Sequence, residues 1–130
     1  MREKLEQFLR RHDGKLVEWG VDDCSACPHA WLRENGIGAR IPTYSSREEA
    51  RTLIAAAGGL VELWDDCLLG TGIAERLGGA PELGDIAVID TRRLGPVGVI
   101  CGAGGLCCWR KDGGFFWLAP RGYLKVWAVS

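Results

Sequence analysis

Near its start the chain sets Met1, Leu5, Phe8 and Leu9, continued by His12, at the spacing that places them on one face of a helix, with Gly14 as the stop. A second helix is predicted from about Ser25 to Asn35, closed by Gly36, with Ala30, Trp31 and Ile37 turned inward. Ser46-Arg-Glu-Glu49 has the spacing of a capping box, in which serine and glutamate each satisfy an orphan amide at a helix start. That periodicity runs through Leu53 and Ile54 to Gly58, and Leu60 to Leu69 supplies a further helix before Gly70.

From Pro81 onward the period shortens. "GDIAVID" alternates, "VGVIC" is a β-branched run, and "LCCW" and "FFWL" flank Arg-Lys-Asp-Gly-Gly, a hairpin signal. "YLKVWAV" supplies a last strand. The pattern predicts an α+β fold with N-terminal helices packed on one face of a C-terminal antiparallel sheet, forming a single domain over residues 1–130.

Sixteen Lys and Arg against seventeen Asp and Glu give a formal charge of -1, so no overall field draws the molecule to nucleic acid or an anionic membrane. No apolar run approaches the ~20 residues of a membrane span, and the charged start does not read as a signal peptide; no membrane insertion is expected. Six cysteines at uneven spacing, without a secretory signal, are expected as reduced thiols in a cytoplasm.

Candidate chemistry begins at "WGVDDC". Cys24 stands at the predicted start of the second helix, where unpaired amides and the helix dipole favour a thiolate. A nucleophile also needs a base within hydrogen-bond reach and a group to orient that base. His29, five residues on, is turned by about 140° and displaced by ~7.5 Å on a helix, so its side chain diverges from Cys24. His12 is on the first helix, and nothing in the pattern brings it to Cys24. Pro28 lacks the amide that would bond to the Cys24 carbonyl, so the helix is expected to start near Ser25 or to lose that bond.

"WGVDDC" before a helix, then "GDIAVID" and "VGVICG", resembles the papain-like cell-wall peptidases of the NlpC type. The set Trp19-Gly20-x-x-Asp23-Cys24, Gly58-Gly59-Leu60, Gly84-Asp85 and Trp127 more closely resembles small NlpC-like phage and prophage proteins associated with tail genes. The resemblance implies a papain-like core with Cys24 at the nucleophile position and a base on the residue before Val97-Gly98-Val99. That residue is Pro96, which has no titratable group.

The expected function is therefore a non-catalytic NlpC-like structural or assembly component of a phage or prophage tail tip or baseplate, with Cys24 a vestige. The alternative is a cysteine peptidase or amidase that cleaves peptidoglycan peptides through Cys24. The resemblance implies other tail proteins as partners, hub or tail-tip subunits, with peptidoglycan a further ligand and nucleic acid none. It places the chain in the bacterial host cytoplasm during assembly and then in the virion tail.

Binding candidates are Trp19, an anchor at the core or rim; Asp23, a cap or loop acid tying down amides; and the strip Phe115, Phe116 and Trp117. That strip has more consecutive apolar residues than a one-sided strand needs, and so suits a partner surface. Arg92-Arg93 with Arg110-Lys111 suggest a basic rim. Cys24-Ser-Ala-Cys27 with Cys101, Cys107 and Cys108 is poorly spaced for zinc, since adjacent strand residues point to opposite faces. No metal or cofactor is expected.

Overall fold

A computed structural model describes residues 1–78 and 80–130. Among the described residues four helices precede all six strands of a sheet whose pairings are antiparallel, so the α+β class stands. Helix α1 (Arg2–Arg10) buries Leu5 and Phe8 of the predicted stripe. Helix α2 (Ala26–Glu34) buries Trp31 and Leu32, and its start after Cys24 is what Pro28 requires. Helix α3 (Arg47–Ala57) opens on Ser46, whose Oγ accepts the Glu49 amide at 3.1 Å, and closes on Gly58 at φ 99°. The reciprocal bond falls one residue earlier than in the usual box: the Glu49 carboxylate accepts the Ser45 amide at 3.0 Å. Helix α4 (Leu60–Leu68) buries Leu60, Trp64 and Leu68, whereas α3 buries no residue fully and packs mainly on α4.

The strands are β1 (Ala74–Glu75), β2 (Ile86–Thr91), β3 (Gly95–Cys101), β4 (Cys107–Lys111), β5 (Gly114–Leu118) and β6 (Tyr123–Ala128), in spatial order β1-β6-β2-β3-β4-β5. Strand β1 is too short to carry any periodicity, and the sequence pattern did not announce it.

One sheet face meets the helices: Ile86, Val88, Ile100, Cys108 and Trp127 pack with Phe8, Trp31, Leu32 and Trp64. The Trp31 indole N–H donates to the Gly84 carbonyl at 2.7 Å, fixing α2 to the approach of β2. The other face is buried too, although one face was expected to be covered. Ala87, Ile89, Val97, Val99, Cys101, Cys107 and Val126 pack there with Trp109, Leu118 and Tyr123 at the margin. No helical residue belongs to that cluster, so strand twist must curl the sheet around its own side chains.

The sheet departs from regularity in two places. Strands β3 and β4 pair only at Ile100–Cys108 and Cys101–Cys107, then part, leaving a gap between Pro96–Gly98 and Trp109–Lys111. The tip of the β4–β5 hairpin is tied to the segment after α1. Gly14 N–H donates to Gly113 O at 3.0 Å, Gly113 N–H to Lys15 O at 2.8 Å, and Val17 N–H to the Asp112 carboxylate at 2.7 Å. Arg110 is buried, 3% exposed, beneath this tie, so it is not part of the basic rim expected from sequence. Its guanidinium donates to the carbonyls of Lys15 and Leu16 and to both carboxylate oxygens of Asp22.

Candidate functional site

Asp23 builds the turn on which Cys24 rides. Its buried carboxylate accepts the amides of Ser25 (2.8 Å), Ala26 (2.7 Å) and Gly20 (2.7 Å) and the Tyr44 hydroxyl (2.7 Å). Two of those donors are orphan amides at the start of α2, which makes Asp23 its effective cap. Gly20 takes φ 83°, and a Cβ there would overlap the Tyr44 carbonyl, so glycine is required at the close approach.

Cys24 lies where β3 and β4 part. A Cβ on Gly98 would overlap the Trp64 ring and lie 2.5 Å from the Cys24 carbonyl oxygen, so the bare glycine lets the helix start sit directly on β3. Burial and the neighbouring Asp23 charge push the Cys24 thiol up to about 11, against smaller opposing effects of the Gly98 amide and the Arg47 guanidinium. Near neutral pH the sulfur is therefore a thiol. Among the described residues no histidine or carboxylate is hydrogen-bonded to it.

The thiol opens into a groove of about 840 Å3, bounded by Trp19, Tyr44, Arg47, Arg51 and Ile54 on one side and by Leu94, Pro96, Val97, Trp109 and Lys111 on the other. Cys24 and Pro96, the positions of nucleophile and base in the resemblance, thus share one groove, and the second of them has nothing to titrate.

The histidines serve elsewhere. His29 is buried, its Nδ1–H donates to Ser25 O at 2.7 Å, and its ring stands edge-on to Trp64. Burial pulls it down to about 4, so it is neutral, with Nε2 lacking a partner among the described residues. His12 reaches a cysteine, but the wrong one for this groove. Its Nδ1–H donates to the Asp22 carboxylate at 2.9 Å, and its Nε2 lies 3.9 Å from the sulfur of Cys27.

That Cys–His–Asp order has the connectivity of a nucleophile with its base and orienter. Cys27, however, is 1% exposed, and burial with the nearby Asp22 charge raises its thiol far above the ordinary range. Burial alone would raise Asp22, but hydrogen bonds from Arg110 and His12 hold it below the usual carboxylate value. With Asp22 committed to Arg110 and His12, the cluster leaves Nε2 and one sulfur as free donors. Two are too few for a structural zinc, which takes four.

The sequence placed His12 on the first helix, whereas α1 ends at Arg10 and His12 lies in the turn that follows; its partners Asp22 and Cys27 come from beyond that helix, and no periodicity announces them. The remaining cysteines are free: Cys101 faces Cys107 across two strands, and burial drives Cys108 up to about 12.

Of the proposed binding residues, Trp19 and Asp23 line the groove, Asp23 from beneath. Phe116 and Trp117 are 53% and 45% exposed, while Phe115 turns in against His12 and Arg110. None of those three side chains lines the groove, but the strip adjoins it, since Lys111 of the lining lies over the Phe116 ring. Asp85 closes the approach to β2: it accepts from Arg76 at 2.6 Å and from the amides of Glu82 and Val129.

Fold and groove define a small α+β domain with a helix-start thiol set in a cleft beside an antiparallel sheet. The chain belongs to the family described as a domain of unknown function, DUF6950, which matches residues 1–129. No curated protein and no solved structure matches it.

Proposed function

We propose that the chain is an NlpC-like domain that has lost its general base and serves as a non-catalytic structural or assembly component of a phage or prophage tail tip or baseplate. The observation that supports the loss is the pairing of Cys24 with Pro96 across one groove. Thiol attack requires removal of a proton, and a sulfur held up to about 11 with no imidazole bonded to it keeps that proton near neutral pH. The tail setting rests on the likeness of the set Trp19-Gly20-x-x-Asp23-Cys24, Gly58-Gly59-Leu60, Gly84-Asp85 and Trp127 to the tail-associated proteins. The half-exposed Phe116 and Trp117 are the surface for a neighbouring tail subunit.

Incubation of the purified chain with muropeptides tests the reading. No turnover is expected, either from the chain or from Cys24→Ala; turnover that disappears in Cys24→Ala would establish the peptidase alternative instead.

A further inference from the structure

The groove carries more positive charge than the fold uses. Its lining includes Arg47, Arg51 and Lys111, all exposed, and among the described residues none forms an ion pair. Arg110 also lines it but is spent on Asp22 and backbone carbonyls. The carboxylates in the lining are occupied as well: Asp23 by three amides and a hydroxyl, Asp112 by the Val17 amide. Asp112 keeps its charge, so the exposed charged side chains that remain to meet an incoming ligand are three cations against one carboxylate.

Arg47 and Arg51 lie one helical turn apart and line the same wall. Arg47 is the first residue of α3, where the helix dipole disfavours a cation, so it does not serve the stability of that helix. Between the cations the surface is apolar and aromatic: Val17, Trp19, Ile54, Leu60, Val97 and Trp109.

The opposite wall is two strands that have separated. Because ladder bonds alternate in direction, Cys108 and Arg110 aim their backbone amides and carbonyls toward β3, while Cys107, Trp109 and Lys111 aim theirs at β5. Cys108 finds its partner in Ile100. Arg110 lies beyond the last pair, so its main-chain groups border the gap.

We propose that this groove is a docking site for an extended, acidic segment of a partner protein. Carboxylates of the segment meet Arg47, Arg51 and Lys111, its apolar residues lie over Trp19 and Trp109, and its backbone runs along the gap beside Arg110. The volume suits a few residues of such a segment, within the ~300–1,000 Å3 of ordinary ligand clefts. A peptide fits better than a nucleic acid because three free cations and a whole-chain charge of -1 give too little field for a phosphate backbone. The inference rests on the groove being a binding surface and not a site of turnover.

The test pans a library of random dodecapeptides, displayed on ribosomes, against the full chain and in parallel against the double variant Arg47→Glu, Arg51→Glu. Wild-type protein is expected to enrich peptides with a surplus of Asp and Glu. A fluorescent peptide from that pool should bind the variant at least about tenfold more weakly, and should weaken with added salt. The pair Arg47→Gln, Arg51→Gln removes charge without reversing it, and reads the same loss if reversal disturbs α3.

Enrichment without an acidic surplus, no enrichment at all, or equal binding by folded variants overturns the proposal. So does an oligothymidine that displaces the peptide and binds more tightly, which would assign the groove to nucleic acid. Muropeptide turnover by the same preparation would sink the non-catalytic reading while leaving the peptide measurement interpretable, so the two failures are distinct.

Discussion

At the scale of single residues, two titrations separate a structural thiol from a catalytic one. Cys24 stays protonated near neutral pH because burial and Asp23 oppose its ionisation. Alkylation by iodoacetamide is therefore expected to be slow at pH 7 and to accelerate toward pH 11, followed by mass spectrometry of the Cys24 peptide. A fast reaction that plateaus below pH 8 would contradict this.

His29 titrates in the other direction. Folding lowers its pKa from the ordinary ~6.5 to about 4, so between those values the unfolded chain binds a proton that the folded chain refuses. Its contribution is undiminished above pH 6.5 and is lost as pH falls toward 4, by up to about 3 kcal/mol. Urea unfolding at pH 7 and pH 4.5 should show a larger drop for the wild-type chain than for His29→Leu; equal drops would refute the assignment.

Among elements, the junction of α2 with β3 is the most constrained. Gly98→Ala would place a methyl against the Cys24 carbonyl and the Trp64 ring, both held in place. A loss of about 3 kcal/mol is expected in denaturant unfolding, the upper range for overpacking. A change below about 0.5 kcal/mol would show that the contact relaxes.

How much of these elements was legible varied with how local their causes are. The stripe Leu5, Phe8, the capping serine Ser46 and the hairpin turn Asp112-Gly113 are all set by near neighbours, and each was readable as such. Position 96 could be placed in the site through resemblance alone. The parting of β3 from β4, the burial of Arg110 and the contact of His12 with Cys27 depend on residues distant in sequence, and no periodicity encodes them. Likewise, "GGFFWL" announced surplus apolar surface but not that Phe115 alone of its aromatics would turn inward.

At the scale of the whole molecule an exposed aromatic strip on the outer strand β5 adjoins a cationic groove over Cys24. Phe116→Glu changes a half-exposed side chain, so the isolated domain should melt within about 2 °C of wild type by calorimetry. In the proposed setting its incorporation into assembled particles should fall severalfold, measured by immunoblotting purified virions. Unchanged incorporation would remove the strip from the interface.

The knot of bonds joining residues 14–17 to 112–113 bears on how the protein comes to exist during synthesis. One wall of the cleft is shaped by a segment emerging early from the ribosome and the facing hairpin by one emerging late, so the cleft cannot be completed while translation is still short of Gly113. Until Arg110 has been made, the Asp22 carboxylate lacks its guanidinium and the carbonyls of Lys15 and Leu16 lack their donor. Whatever occupies this cleft therefore meets a chain whose β4–β5 hairpin has already been made.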